Sequence, residues 1–358
     1  MSKRSGIALT ALVLVAGLVY VAWNVRENGK DGAGKRGTEA GTALSSELGA
    51  VTTTLAPAIT PMALPSTSAS STGAFATFGW GGGDGQLGRS RPQEANPEGP
   101  MSLAADGKGG ALLLDQVNGR VVRVDADGKP KGTIKVPLLG AQDVAVASDG
   151  TVAVLDRLAD KQVQLFGADG KPRGSLPLEG KGIAEGGAVT GVFVDGDKVY
   201  AEKEHGALVL LGGTDGKPGD RTEIPGRPSR DGTSYISAGI TTPDEGRLWV
   251  TAITRATNQH RFTRELRMGV PVPTLLLLDS DKSGTIYLAM EAMPSEGNPV
   301  VLLSCLAGKD GAPIGTVQLP ASVLPEETFR EFAVLDQGGV LHAEMTEGGV
   351  VYRKYDCR

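Results

Sequence analysis

Six copies of one pattern, a turn followed by a short run of β-forming residues, occur between residues 110 and 344. The first copy starts at residue 110 and the last at residue 339, so that the mean interval is about 46 residues. The six runs are residues 110–115, 150–156, 198–202, 246–251, 284–289 and 339–344. A period of this length indicates a fold in which each repeat is one supersecondary unit packed against its neighbours.

A second turn recurs within the same units. Asp-Gly-Lys-Pro stands at residues 127–130, 169–172 and 215–218, and Asp-Gly-Ala-Pro at residues 310–313. With an apolar run before the first turn and another run after the second, each unit contains four predicted strands. Four-stranded units at this period are typical of the blades of a β-propeller, so the sequence predicts an all-β, six-bladed β-propeller.

Composition agrees with such a fold and excludes several kinds of site. The 358 residues include 52 glycines without a period of three, which places the excess glycine in many separate turns. A net charge of −5 without a basic block argues against a nucleic-acid partner. Two cysteines are too few for a disulfide framework or a four-cysteine zinc site, and no cofactor motif is present.

The sixth unit is one strand short. It shows strands at 332–335, 340–344 and 350–355, and residues 75–78 offer the missing fourth strand. Pairing of that N-terminal strand with the C-terminal strand would close the ring and leave no wide sheet edge exposed. The alternative is that residues 75–78 form a frayed segment ahead of the first blade.

The first blade resembles the NHL-repeat family of six-bladed propellers. The residues that carry the resemblance are Phe78-Gly79, residues 83–87, residues 100–107 and the segment from Asp115 through Asn118 to Arg120 and Val121. The second blade keeps Asp156 and the turn before it, and blades three to six lose the Asp and Arg pair. The resemblance covers roughly residues 75–358 and implies the fold; the family's members bind proteins, RNA or carbohydrates or are enzymes, so it does not assign one function.

The chain begins with a predicted membrane anchor. Lys3 and Arg4 precede an apolar run over residues 7–25, which as a helix would span about 28 Å. Because Tyr20 stands where a cleavage site needs a small residue, we expect residues 1–25 to remain as a transmembrane signal-anchor helix, with a removed signal peptide as the alternative. Residues 26–73 then form a disordered low-complexity linker, and residues 74–358 form the propeller.

Cys305 and Cys357 fall near the ends of the third strands of blades five and six. They would leave the ring toward the same end, so a disulfide between them is one interpretation and two buried free thiols the other. A disulfide would favour an oxidising compartment. The sequence therefore predicts a propeller exported to the periplasmic or extracellular side of the membrane.

Acidic residues end several equivalent strands. Asp115 and Asp156, with Glu202 and Glu344, could bind a hard cation if they converged, which makes Asp115 and Asp156 weak metal candidates. The resemblance instead implies that the Asp makes structural hydrogen bonds to the loop carrying Asn118 and Arg120. Of the histidines, His342 is predicted to be packed within a strand, and His205 to be exposed in a turn.

The fourth blade differs from the sequence pattern that the other blades share. It lacks the Asp-Gly-Lys-Pro turn and carries a cluster of basic residues, and the candidate ligand-binding residues are Arg255, His260, Arg264 and Arg267. Their positive charge in an acidic chain would suit an anionic partner surface, and a solvated, irregular blade is the alternative.

These features favour a non-enzymatic, membrane-tethered protein of the cell envelope whose propeller is a scaffold for a protein or polysaccharide partner. The alternative is a lactonase-like or lyase-like propeller enzyme that uses a divalent ion.

Overall fold

The computed structural model describes residues 59–62, 73–295, 298–322 and 324–357. The predicted anchor at residues 7–25 and the first part of the predicted linker lie outside these ranges. Within them, no helix is both long enough and apolar enough to cross a bilayer. The described residues belong to one compact unit, Leu55–Arg358.

The described residues of this unit form twenty-six strands and two short 3₁₀ helices at Gly186–Ala188 and Pro243–Glu245. Three strands precede the first blade: β1 (Ile59–Pro61), β2 (Ala74–Trp80) and β3 (Gln86–Leu87). Blades one and two contain β4 (Ser102–Ala105), β5 (Ala111–Asp115), β6 (Arg120–Val124), β7 (Pro130–Lys135), β8 (Ala141–Val146), β9 (Val152–Asp156), β10 (Gln162–Phe166) and β11 (Pro172–Pro177). Blades three and four contain β12 (Val189–Asp195), β13 (Lys198–Lys203), β14 (Leu208–Gly213), β15 (Glu223–Ile224), β16 (Arg227–Pro228), β17 (Ser234–Thr242), β18 (Arg247–Thr254) and β19 (His260–Arg267). Blades five and six contain β20 (Thr274–Ser280), β21 (Ile286–Ser295), β22 (Asn298–Leu306), β23 (Pro313–Leu319), β24 (Phe332–Val334), β25 (Val340–Thr346) and β26 (Gly349–Tyr355).

These strands form six antiparallel blades, which confirms the predicted six-bladed propeller. The first five blades run outward in chain order from β4, β8, β12, β16 and β20, and the sixth runs outward from β24 through β26 to β2. The first strands of the blades line a central channel. Since each first strand enters the channel from the same side, the ring has an entry face, where the first strands begin, and an exit face, where they end.

Ring closure follows the prediction from the sixth repeat. β2 pairs antiparallel with β26, with Ala76 opposite Tyr352 and Phe78 opposite Val350. The Phe78 ring is buried and meets the Tyr352 ring edge to face at a centroid distance of 6.0 Å. The N-terminal strand therefore completes the sixth blade and removes the sheet edge that the C-terminal strand would otherwise expose.

The core lies between neighbouring blades. Buried apolar clusters fill the interfaces of blades one and two, two and three, four and five, five and six, and six and one. At the interface of blades three and four, the described residues are instead joined by the ion pairs Arg227–Glu202 and Arg255–Asp195. This polar seam distinguishes one interface of the ring from the other five.

The repeated Asp-Gly turn has one geometry in four blades. Gly128, Gly170, Gly216 and Gly311 have φ angles of 80°, 80°, 81° and 70°, in the left-handed region that glycine occupies without a Cβ clash. In three of the turns the Asp side chain accepts a hydrogen bond from the backbone N–H two residues later. The recurrence of Asp-Gly in the sequence is therefore explained by the backbone conformation of the turn.

Two expectations differ from the structure. The run 246–251, predicted to be a second strand, lies in β18, the third strand of blade four; the actual second strand is β17, and its turn is Asp231-Gly232. The linker predicted over residues 26–73 contains β1, which pairs in parallel with the outer edge of β19 and buries Met62. An extended edge strand needs only three residues and one apolar side chain, too short a pattern to stand out in the sequence.

The structure joins Cys305 and Cys357 by a disulfide, with Cα atoms 5.8 Å apart. Replacing both residues by Ser is expected to lower the free energy of unfolding by about 2 to 4 kcal/mol, because the bond restrains a loop of 52 residues in the unfolded chain. Urea unfolding of the oxidised wild type and the double variant measures the difference. Equal midpoints would show that the bond adds nothing to ring stability.

Candidate functional site

The central channel contains a cavity of about 1140 Å³ that reaches all six blades. Apolar side chains of the first strands form much of its wall, among them Leu103, Val192 and Leu276. Charged side chains concentrate near the two faces of the ring. The channel is therefore a chamber with an apolar middle and polar ends.

A segment between blades five and six closes part of the entry face. This plug, residues 326–331, runs beside blade one, where Phe329 N–H and Arg330 N–H donate to Met101 O at 2.7 and 3.1 Å. The Phe329 ring packs against the apolar clusters of blades one to three and lies 5.2 Å from the Arg157 guanidinium. Glu331 O also accepts a hydrogen bond from Ala343 N–H of blade six, so the plug lies against blades six, one and two and, through Arg330, against blade three.

Arg330 fixes the plug to the channel wall. Its Nη2 donates to the Oδ2 atom of Asp143 at 2.6 Å, and the Asp143 side chain is fully buried. Asp143 also accepts hydrogen bonds from Ser102 Oγ and from the backbone N–H of Val192, at 2.6 and 2.9 Å. This buried carboxylate therefore connects the plug with blades one, two and three.

A second arginine crosses the polar seam. Arg227 of blade four donates from Nε and Nη2 to the carboxylate of Glu202 in blade three at 2.7 and 3.0 Å, and from Nη1 to Leu278 O. The guanidinium groups of Arg227 and Arg330 lie 4.6 and 4.8 Å from the centroid of the Phe193 ring. Burial alone would raise the pKa of Glu202, but the Arg227 guanidinium and its hydrogen bonds lower the pKa of this carboxyl below its ordinary value.

The exit face carries its own ion-pair network. Arg230 binds Asp279 at 2.7 Å and Asp336 at 3.0 Å, and the Lys282 amine lies 2.7 Å from Asp336. Burial acts to raise the pKa of Asp336, but its hydrogen bonds to Lys282 and Arg230 lower the pKa below the ordinary value. These residues join blades four, five and six across the end of the channel.

The entry face is open beside blades four and five. The first strand of blade four, β16, has only two residues and pairs with only Tyr235 and Ile236 of β17. Beyond them the inner edge of β17 carries no strand among the described residues, and Ala238 to Ile240 line the cavity directly. Thr274 and Leu275 of β20 form the opposite wall. We call this gap, bounded by β17 and β20, the slot.

The four candidate ligand residues of blade four do not converge. Arg255 lies at the polar seam and binds Asp195 at 2.6 Å. His260 is exposed and shares a hydrogen bond with Thr263, and Arg264 reaches the carbonyl of Asp310 in blade five. Arg267 lies 3.9 Å from Glu245. The structure therefore gives these four side chains four different partners rather than one shared site.

The two weak metal candidates also have structural partners. Asp115 accepts hydrogen bonds from Gly88 N–H, Asn118 Nδ2 and Arg120 Nε, at 2.8 to 2.9 Å. Asp156 accepts from the backbone N–H groups of Gly140, Leu158 and Ala159. Both carboxylates hold loops in their own blades, as the resemblance implied for Asp115.

Neither His342 nor His205 belongs to a group of potential metal ligands among the described residues. His342 is fully buried and stacks on the Phe332 ring at 4.4 Å, as predicted for a packed strand residue. The His205 side chain is 73% exposed, with Nδ1 3.7 Å from Glu202. Within the described ranges, the one group of three potential metal ligands is Cys305, Asp356 and Cys357, whose sulfurs form the disulfide.

Changing Glu202 to Gln is expected to reduce the free energy of unfolding at pH 7 by about 3 kcal/mol, because Arg227 loses a buried counter-charge. Since the folded pKa of Glu202 is lowered, its contribution is present above the unfolded pKa and is lost as pH falls through the folded value. The difference between wild type and variant should therefore shrink as pH falls from 5 toward 3. Urea unfolding across that range tests this, and a pH-independent difference would contradict it.

The channel residues were not found from the sequence. Asp143, Phe193 and Arg227 stand at different places in their repeats, Arg330 lies outside the repeats, and each has a partner far along the chain. A sequence signal did exist for the plug: Phe329-Arg330 lies just before the last blade, outside the repeat pattern. A sequence repeat of about 46 residues identifies only residues that recur with it, and the plug lies outside the repeats.

No family model matches the chain, and no curated protein matches it. Among solved structures, hydrazine synthase of Kuenenia stuttgartiensis is similar at a TM-score of 0.48 and 14% identity, over 75% of this chain and 90% of that chain. The virginiamycin B lyase from Staphylococcus aureus has a TM-score of 0.41 and 11% identity, over 75% and 99% of the two chains. The RRP9 WD40 repeats have a TM-score of 0.46 and 10% identity, over 75% and 97%. These structural similarities give no information about activity. The six-bladed architecture follows from the sheet topology described above.

Proposed function

We propose that this protein is a non-enzymatic, membrane-tethered scaffold of the cell envelope whose propeller binds a protein partner at the open sector of its entry face. A polysaccharide is the second class of partner. The observation that carries the proposal is a contrast within the channel. Its buried charged groups bind one another, whereas the slot presents apolar side chains and a strand edge that no strand of the described residues pairs with.

The ion pairs favour binding over catalysis. A general acid or base has to reach a proton on the substrate, and a metal site needs several ligands that converge. Asp143 and Glu202 are already saturated by arginine, hydroxyl and backbone donors. The alternative enzyme, a lactonase-like or lyase-like propeller, would need a convergent set of donors, and Asp115 and Asp156 instead hold loops.

An NHL-like propeller fits the geometry of blade one. Asn118 and Arg120 both donate to the Asp115 carboxylate, and Arg120 also donates to Gly82 O and Gln86 O. The Asp–Asn–Arg contact thus fixes the loop ahead of the blade, which supports the resemblance found in the sequence.

The tether and the location rest on separate features. The apolar run at residues 7–25 supports a membrane anchor, and the chain between it and Ile59 supplies the tether. The disulfide supports an oxidising compartment and therefore an exported propeller.

The test is capture of a partner by the full chain, reconstituted in lipid nanodiscs, from envelope extract. Treating the extract with a protease should abolish capture, and treating it with polysaccharide hydrolases should leave it intact. The opposite pattern would replace the protein partner by a polysaccharide. Turnover of a lactone or glycan by the isolated full chain would contradict the non-enzymatic proposal.

A further inference from the structure

The slot exposes the backbone groups of a strand edge. The first strands of the other five blades contain four, six, seven, seven and three residues, and β16, with two, is the shortest of the six. Among the described residues, β16 pairs with β17 only at Tyr235 and Ile236, Ser229 bonds to Ser234, and Ser237 Oγ donates to Pro225 O.

The uncovered backbone groups can be identified from the ladder. Ser229 N–H donates to Ser234 O, so the carbonyl of Ser234 points to the inner edge. Because N–H and C=O groups alternate sides along a strand, those of Ala238 and Ile240 point to the same edge. No strand of the described residues pairs with them there.

We propose that the slot binds an extended polypeptide segment of the partner, which adds to β17 as the missing inner strand. This mode of recognition rests on the proposed scaffold function and specifies it. An extended backbone is the ligand that satisfies alternate N–H and C=O groups along a strand edge. Blade four already receives such an addition on its outer edge, where the linker strand β1 pairs with β19.

The walls of the slot define the side chains that the segment carries. Ile240, Leu275 and Leu276 are partly exposed and apolar, and Phe193 forms part of the floor. Arg227 and Glu202, which also line the cavity, form an ion pair with each other. The segment that fits is uncharged, with small or apolar side chains, because a charge placed there would lose water without gaining a partner.

Linear peptides selected by phage display against the full chain provide the probe. Binding of a selected peptide should slow amide hydrogen exchange at Ala238 and Ile240. N-methylation of the peptide backbone should weaken binding at least tenfold at alternate positions only, since a paired strand directs every second N–H to its neighbour. A contact made by side chains alone would not produce that alternation.

Variants locate the site. Ile240→Asp and Thr274→Trp should each weaken peptide binding at least tenfold; Thr274 is exposed, so its replacement fills the slot without entering the core. Ile314→Asp, at an exposed position on the outer strand of blade five, is the matched control and should bind as wild type. The inference is overturned if no linear peptide is selected, if N-methylation shows no alternation, or if folded Thr274→Trp binds normally. Capture of a protein partner with these results negative would leave the scaffold function standing and remove only strand addition.

Discussion

Changing Arg330 to Met is expected to lower the free energy of unfolding by about 3 to 5 kcal/mol, because it leaves the Asp143 carboxylate buried without its counter-charge. The loss should be accompanied by release of the plug, since Arg330 links residues 326–331 to blades two and three. Urea unfolding gives the free energy. Hydrogen exchange in the plug reports its release.

Two further variants distinguish a buried pair from a general loss of charge. Arg173→Met removes a partner of Asp149 at an exposed position and should cost less than about 1 kcal/mol. Adding Asp143→Asn to Arg330→Met should recover part of the loss, because the neutral amide no longer needs a counter-charge. Equal effects at Arg173 and Arg330, or no recovery in the double variant, would contradict the assigned role of Asp143.

Removing residues 1–80 is expected to abolish cooperative unfolding of the propeller. The deletion takes away β2, which supplies the fourth strand of blade six and buries Phe78 between the first and last blades. It also leaves β26 with an unpaired edge, which favours association between chains. Differential scanning calorimetry and sedimentation measure the two consequences.

A shorter deletion is the control. Removing residues 1–72 takes away β1 and the buried side chain of Met62 but keeps β2. Its cost should be about 1 to 3 kcal/mol, the burial of one such side chain. A chain lacking residues 1–80 that unfolds as cooperatively as this control would show that ring closure does not depend on β2.

The features of the fold that recur in each repeat could be predicted from the sequence. Turns such as Asp127-Gly128 recur because a left-handed backbone position selects glycine wherever the same turn occurs. Closure by residues 75–78 followed from counting strands in the last repeat. These predictions depend on local conformation, and local conformation leaves a signal in neighbouring residues.

Blade four shows why the rest could not be predicted. Its first strand is only two residues long, so no apolar run marks it in the sequence. The sequence pattern therefore predicted the third strand, β18, as the second. The basic residues of blade four were predicted to bind a ligand from their charge alone. In the structure, Arg255 pairs with Asp195 at the polar seam and Arg264 donates to a backbone carbonyl. The channel site depends on contacts such as Arg330 with Asp143, 187 residues apart, which no local pattern reports.

Site-specific photocrosslinking in intact envelopes tests the central proposal most directly. A photoreactive phenylalanine analogue at Thr241, an exposed position at the entry end of β17, borders the slot without filling it, and the same analogue at Ser148 lies at the exit end of the channel wall. The proposal predicts a protease-sensitive adduct of higher mass from position 241 and none from position 148. Adducts from position 148 alone, or from neither position, would contradict binding of a protein partner at the open sector of the entry face.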